Sequence, residues 1–113
     1  MRGQGAATLA FSGVAAGSLV VLFAPSGGGA PLFPYDDKVV HATLFALLAG
    51  AARWRFGSGP AVLGAVCAYA PVSELVQAGL LPGRSGDVYD VLADLAGALA
   101  GWALAGRLLR RSS

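Results

Sequence analysis

The amino-acid sequence predicts an all-α fold, an integral membrane bundle of four transmembrane helices with both termini on the cytoplasmic side. Apolar residues make up 56% of the 113 residues. Charged residues make up only 12%, whereas a soluble domain carries about 25%. The mean hydropathy is +0.66, and the few charged side chains fall near the ends of long apolar stretches. A chain of this length forms a single domain, residues 1–113.

The composition also excludes several classes of function. A small soluble globule needs a large polar surface, which this chain lacks. The formal net charge of +2 provides no basic patch for nucleic-acid phosphates, so no nucleic-acid partner is expected. The single cysteine, Cys67, cannot form an internal disulfide, and no nucleophile elbow, CxxC or HExxH motif is present. The expected environment of the chain is a lipid bilayer.

The first two predicted spans cover residues 6–24 and 37–56. The first contains no charged side chain and ends at Pro25, and about 20 apolar residues cross a hydrocarbon core of ~30 Å. A cleaved signal peptide is the alternative interpretation of this span. The second span is shorter in apolar residues but ends in Arg53-Trp54-Arg55-Phe56, an aromatic and basic segment suited to the membrane interface.

The third and fourth predicted spans cover residues 60–81 and 87–109. Pro60 suits the first position of a helix, because the N–H that proline lacks has no partner there. Pro71 lies inside the third span and removes one backbone hydrogen bond, so we expect a kink or a spare carbonyl near the middle. The fourth span begins at Asp87, whose side chain can cap a helix.

The distribution of basic residues predicts the orientation of these spans. With a cytoplasmic N-terminus, six basic residues lie inside and two lie outside, which satisfies the positive-inside rule. The inner residues are Arg2, Arg53, Arg55, Arg107, Arg110 and Arg111, and the outer ones are Lys38 and Arg84. The prediction is therefore a multi-pass, N-in/C-in bundle.

The remaining ionisable residues are predicted to collect beneath the outer surface. Asp87, Asp90 and Asp94 follow an i, i+3, i+7 spacing, which puts them on one helix face. Glu74 and Asp94 each lie about seven residues from the outer end of their span, a depth of ~10 Å. One candidate ligand-binding pocket could then hold Asp37, Lys38, His41, Glu74, Gln77, Arg84, Asp87, Asp90 and Asp94.

Ionisable groups inside hydrocarbon are costly and usually face a bundle interior, a water-filled cavity or a ligand. The acids of this pocket outnumber its fixed cations, which indicates protonated acids, a bound divalent cation or a cationic ligand group. Candidate metal ligands are Glu74, Asp90 and Asp94. The alternative is that ion pairs only hold the helices in register. Gly97 and Gly101 continue the acidic face and would let another helix approach closely.

Three motifs occur in order between residues 37 and 101. They are Asp37-Lys38-Val39-Val40-His41 followed by Phe45, then Ser73-Glu74-Leu75-Val76-Gln77, and finally Pro82-Gly83-Arg84-Ser85-Gly86-Asp87-Val88-Tyr89-Asp90 running on to Asp94, Gly97 and Gly101. This order resembles the VanZ-like family of small bacterial membrane proteins, named for a glycopeptide (teicoplanin) resistance determinant. Two departures stand out, because the family more often has asparagine at position 94 and often tyrosine near Phe45. The resemblance implies a multi-span protein of the bacterial plasma membrane and cell envelope, without a defined reaction.

The first functional hypothesis is a membrane protein whose outer-leaflet pocket binds an envelope lipid or a cell-wall precursor. Lys38 and Arg84 would hold phosphate or carboxylate groups. Glu74, Asp90 and Asp94 would take amines, hydroxyls or a bridging cation. The family resemblance links this hypothesis to teicoplanin-type antibiotic resistance.

Three alternatives stay open at the level of sequence. The first is an intramembrane metal-dependent enzyme acting on a lipid phosphate, with Mg²⁺ on the carboxylates and His41 as general acid or base. The second is a proton-coupled carrier, which would need acidic side chains on a continuous path through the membrane, and the inner half of the third and fourth spans contains no such acid. The third is a packing subunit of a larger complex.

Overall fold

The computed structural model describes residues 4–23, 36–80 and 88–112, and these residues form four α-helices and no strand. The helices are α1 (Gln4–Phe23), α2 (Asp36–Phe56), α3 (Pro60–Leu80) and α4 (Val88–Ser112). The prediction of an all-helical fold with four helices is thus confirmed. α4 extends three residues beyond the predicted end at residue 109, because Arg110, Arg111 and Ser112 include no helix-breaking glycine or proline.

The connection between α2 and α3 is a tight turn whose glycine is required by geometry. Gly57 has a φ of +95°, a left-handed conformation that glycine adopts without steric cost. Its N–H donates to the Arg53 carbonyl at 2.9 Å and so caps the end of α2. Pro60 begins α3, as predicted. The short turn brings α2 and α3 side by side in opposite directions.

Pro71 does not end α3, which runs as one helix from Pro60 to Leu80. Two residues further on, the Ser73 hydroxyl donates to the Ala70 carbonyl at 2.9 Å. Ser73 is fully buried, so this bond satisfies a hydroxyl that would otherwise lack a partner inside the bundle.

α2 and α4 form the most extensive contact of the bundle, and glycines on α4 make it close. A Cβ added at Gly97 would lie 2.8 Å from Ala42 Cα, and one added at Gly101 would lie 2.6 Å from Ala46 Cα. Carbon atoms in contact are normally about 3.5–4.0 Å apart, so no side chain fits at either position. The close approach predicted for this face is confirmed. Gly97 faces Ala42, and Gly101, four residues later, faces Ala46, also four residues later. α2 and α4 therefore run parallel.

The four helices alternate in direction. At one end, the polar end, α2 and α4 begin, and Glu74 near the end of α3 lies beside them. At the other end, the arginine end, Gln4 of α1 lies beside Arg53 of α2 and Arg110 of α4. The start of α1 and the end of α4 are therefore at the same end of the bundle.

The core between the helices combines small residues with a few aromatic ones. Phe45 is fully buried and packs edge-on against Tyr69, with ring centroids 5.4 Å apart. The Tyr69 hydroxyl reaches Ser18 of α1 at 3.0 Å. Ala49 and Ala98 fill the space between α2 and α4. This bond and these contacts tie α1 and α3 to the central helix pair.

Two helices, α1 and α4, contain stretches long and apolar enough to cross a membrane, Gln4–Val21 and Val88–Arg110. The corresponding stretch of α3, Pro60–Val76, is shorter. Large apolar side chains point outward, such as Leu9 and Leu75, which are 76% and 74% exposed. Such an apolar exterior is costly in water and suits a lipid environment.

Candidate functional site

Five polar side chains from three helices meet at the polar end of the bundle. We call this group the polar cluster: Lys38 and His41 of α2, Glu74 of α3, and Asp90 and Asp94 of α4. Residues three or four positions apart lie on one helix face, which is why α2 and α4 each contribute two members. The parallel alignment of α2 and α4 then brings the two pairs together.

The outer pair of the cluster is Lys38 and Asp90. Lys38 Nζ donates to Asp90 Oδ1 at 2.9 Å, with 23% of the lysine side chain and 13% of the aspartate side chain exposed. This ion pair joins the first turns of α2 and α4. Any anion that approached Lys38 would therefore compete with a carboxylate already at hydrogen-bond distance.

The inner pair is His41 and Asp94. His41 Nδ1 donates to Asp94 Oδ1 at 2.8 Å, and Asp94 is fully buried. The second carboxylate oxygen, Asp94 Oδ2, is also buried and accepts no hydrogen bond from the described residues. A buried carboxylate oxygen in this position is costly, by about 1–3 kcal/mol, and is suited to accept a donor from a ligand.

Glu74 completes the polar cluster from α3. It is only 5% exposed, and the ligand atoms of His41, Glu74 and Asp90 lie within 4.8 Å of one another. Since His41 Nδ1 bonds to Asp94, its Nε2 is the nitrogen that remains for another partner. The cluster therefore brings a ring nitrogen of His41 and carboxylate oxygens from two helices close together.

The formal charges of the five described residues in the polar cluster do not cancel. Three carboxyl groups, Glu74, Asp90 and Asp94, face one permanent cation, Lys38, and one titratable group, His41. Even with a protonated His41, carboxylates outnumber cations by one. A surplus of carboxylate in a largely buried site favours a proton, a metal ion or a cationic ligand group.

The other four residues of the predicted site are not placed by the structure. Asp37 belongs to α2 and Gln77 to α3, but their side chains lie outside the described part of the chain. Arg84 and Asp87 fall in residues 81–87, also outside the described residues. The structure thus brings together five of the nine residues, and the ligand-binding role of all nine stays a prediction.

Two further polar contacts were not anticipated from the sequence. One is the hydrogen bond between Ser18 and Tyr69. Its indication in the sequence was a hydroxyl side chain within each of two apolar helices. The other is at the arginine end, where Arg53 Nη1 donates to the Trp102 carbonyl at 2.9 Å. The sequence predicts Arg53 only as an interfacial residue, since its partner on α4 depends on helix packing.

Two cavities among the described residues lie away from the polar cluster. One, of about 500 Å³, is lined by arginines at the arginine end. The other, of about 540 Å³, is a mainly apolar groove between α1, α2 and α4. The outer pocket itself stays a prediction.

Comparisons with known proteins provide one match. The VanZ/LLP1 family model matches residues 10–110, a range that includes every member of the polar cluster. No curated protein and no solved structure shows significant similarity to the chain.

Proposed function

Because the chain belongs to the VanZ/LLP1 family, we propose that it is a multi-pass cell-envelope membrane protein whose polar cluster binds an envelope lipid or a cell-wall precursor. The ligand presents an amine or hydroxyl group to the carboxylates of the cluster. The observation that carries this proposal is the buried arrangement of His41, Asp94 and Glu74 in an otherwise apolar bundle.

The proposed topology has four spans with both termini in the cytoplasm. The alternating helix directions support it, because they put the start of α1 and the end of α4 at the same end. The arginines at that end support a cytoplasmic location. Reporter fusions to each terminus and to the turn at residues 57–59 test the orientation. All three are expected to report the cytoplasmic side.

The polar cluster favours a hydrogen-bond donor or cationic group over an anion. Lys38 is already paired with Asp90, whereas Asp94 Oδ2 is a buried acceptor. The sequence-based hypothesis has Lys38 hold a phosphate or carboxylate of the ligand, and the ion pair with Asp90 argues against that role. Lys38 acts mainly to hold Asp90 in place, and the carboxylates contact the ligand.

Ligand binding by a Glu74→Gln variant tests the proposal directly. The amide keeps the shape of the side chain but removes its charge, and loss of a charge-assisted hydrogen bond costs about 1.5–3 kcal/mol, roughly 10- to 100-fold in affinity. Native mass spectrometry of the purified protein with a lipid-linked cell-wall precursor, and separately with phosphatidylethanolamine, measures this loss.

Thr43→Val is the matched control for this experiment. Thr43 also lies in the outer half of the bundle, but it is exposed on α2 away from the polar cluster. Its substitution is expected to leave binding unchanged. Equal binding by wild type and Glu74→Gln would show that the cluster only holds the helices in register.

We extend the proposal to reduced susceptibility to teicoplanin-type glycopeptides, which only the family relationship supports. Expression in a susceptible bacterium is expected to raise the inhibitory concentration of teicoplanin. Glu74→Gln, expressed at the same level, is expected to abolish the increase. An increase that persists in the variant would separate resistance from the polar cluster.

A second candidate function is an intramembrane metal-dependent enzyme acting on a lipid phosphate. The spacing of the ligand atoms of His41, Glu74 and Asp90, within 4.8 Å of one another, favours it. A histidine whose other nitrogen bonds to a carboxylate is a common arrangement at metal centres, and His41 with Asp94 has this form. A nitrogen and oxygen donor set suits Zn²⁺ better than Mg²⁺.

Elemental analysis and turnover distinguish this candidate from the first. A metal enzyme would retain a transition metal after purification, hydrolyse a lipid phosphate and lose both properties in Asp90→Asn. Metal-free protein that still binds the precursor would support the first proposal.

A further inference from the structure

The arginine end of the bundle contains a second site with the opposite chemistry to the polar cluster. A cavity of about 500 Å³ is lined there by Arg53, Arg55 and Arg110, with Gly106 and Trp54 in its wall. This volume is in the range of about 300–1,000 Å³ found for small-molecule sites. We call it the arginine cavity.

The guanidinium group of Arg53 is held in a fixed position. Its Nη1 donates to the Trp102 carbonyl at 2.9 Å, and its Cζ lies 4.9 Å from the centre of the Trp102 ring. Gly106 makes room for it, because a Cβ at this position would lie 2.7 Å from Arg53 Cζ. A cation positioned in advance loses less entropy when it binds an anion.

Arg55 is positioned by an aromatic pair. Its Cζ lies 5.0 Å from the centre of the Phe56 ring, and Phe56 packs edge-on against Phe11 with centroids 4.9 Å apart. The guanidinium group of Arg55 is thus held by a cation–π contact with Phe56, and Arg55 lines the arginine cavity. Arginines of this kind suit phosphate because the planar group presents several donors.

No acidic side chain among those that the structure describes lies near these arginines. The described acids are Glu74, Asp90 and Asp94, which all belong to the polar cluster. Asp94 and Arg110 are 16 residues apart along α4, a distance of ~24 Å at 1.5 Å per residue. These three carboxylates are therefore too far from Arg110 to pair with it.

An apolar groove adjoins the arginine cavity. It has a volume of about 540 Å³ and passes between α1, α2 and α4, with Val14, Leu47 and Leu104 in its wall. Trp54 and Leu109 line both spaces. A cationic cavity continuous with an apolar groove matches a phosphate group attached to a hydrocarbon chain.

We propose that the arginine cavity and the adjoining groove bind one anionic phospholipid, with its phosphate on Arg53 and Arg55 and one acyl chain in the groove. This site is separate from the polar cluster and does not depend on its function. With the orientation proposed above, the lipid belongs to the cytoplasmic leaflet, where anionic lipids attract basic residues next to a membrane span.

Lipid binding to purified full-length protein in detergent tests this proposal, with native mass spectrometry as the readout. The probes are phosphatidylglycerol and phosphatidylcholine with identical acyl chains. Each basic residue near an anionic surface contributes enough to change affinity about fivefold. Arg55→Gln is expected to weaken phosphatidylglycerol binding by about this factor and to weaken phosphatidylcholine binding less, because the choline cation offsets the charge of the phosphate.

Arg107→Gln is the matched control. Arg107 is exposed near the same end of α4 and does not line the arginine cavity, so its substitution removes the same charge from the same region. It is expected to change phosphatidylglycerol binding by less than about twofold. Equal losses in Arg55→Gln and Arg107→Gln would overturn the proposal, because they would indicate general attraction by the basic end.

Two further measurements identify which part of the lipid is recognised. Gly50→Leu fills the groove, where a Cβ alone meets only ordinary contacts at 3.6 and 3.7 Å. It is expected to weaken full-length phosphatidylglycerol more than a dioctanoyl analogue. Displacement of the lipid by excess inorganic phosphate, or equal effects on both chain lengths, would contradict a phospholipid site. An unchanged elution volume on size exclusion verifies that each variant is folded.

Discussion

Substitution of Gly97 by alanine tests whether the close contact of α2 and α4 builds the polar cluster. Gly97 lies one turn after Asp94 on α4, and it faces Ala42, the neighbour of His41. An added Cβ would lie 2.8 Å from Ala42 Cα and 2.7 Å from its carbonyl carbon. Since carbon atoms in contact need about 3.5–4.0 Å, α2 and α4 would have to separate by roughly 1 Å.

This separation has a predictable energetic consequence. The clash involves backbone atoms on α2, which cannot rotate away, and overpacking of this kind costs about 1–3 kcal/mol. The bond from His41 Nδ1 to Asp94 Oδ1 is 2.8 Å long, and a hydrogen bond is lost beyond about 3.5 Å. Its loss in a buried site adds about 1–3 kcal/mol. After subtracting the gain of about 0.5–1 kcal/mol that alanine brings to a helix, we expect Gly97→Ala to lower the free energy of unfolding by at least about 1 kcal/mol.

Gly64→Ala provides the matched control for this prediction. Gly64 lies in α3, and no atom lies within 4 Å of a Cβ added there. Alanine favours a helix over glycine by about 0.5–1 kcal/mol, so this variant is expected to be neutral or more stable. Denaturant titration in detergent, followed by circular dichroism, measures both variants. Equal stability of Gly97→Ala and Gly64→Ala would refute the argument that the glycine contact positions the polar cluster.

Three further variants test individual contacts. Tyr69→Phe removes the hydroxyl that bonds to α1 at 3.0 Å, and thermal unfolding is expected to show a loss of about 1 kcal/mol. Lys38→Met leaves the partly buried Asp90 without its partner at 2.9 Å. Denaturant titration is expected to show a free energy of unfolding lower by ~1–3 kcal/mol. An unchanged free energy would show that the ion pair does not stabilise the fold. Asp94→Asn keeps the shape of the side chain but removes its charge, so the ¹⁵N chemical shifts of the imidazole of His41 are expected to change, and unchanged shifts would contradict the contact at 2.8 Å.

The spacing of residues along each helix was sufficient to predict which side chains share a face. Asp90 and Asp94 lie on the same face of α4 as Gly97, and the structure confirms the close helix approach on that face. The sequence also predicts four helices and the turn before Pro60, because glycine and proline have strong local preferences.

The particular pairs within the polar cluster could not be predicted from spacing. Whether Asp94 contacts His41 or Lys38 depends on the register of α2 against α4. Two contacts set this register, Gly97 against Ala42 and Gly101 against Ala46. Local patterns contain no information about this register, because it results from packing between residues more than 50 positions apart. The hydrogen bond from Arg53 to the Trp102 carbonyl of α4 could not be predicted for the same reason.

The opposite charges of the two ends explain why they would select different ligand groups. Lipid phosphates are available at both membrane surfaces, and arginine side chains can bind them directly. At the polar end, Lys38 is occupied by Asp90, and the carboxylates of Glu74 and Asp94 would repel a phosphate. A ligand there must therefore direct a proton donor or a positive group into the bundle and keep its phosphate further out. An amine-bearing lipid or precursor satisfies this requirement, whereas a simple anionic lipid satisfies only the arginine end.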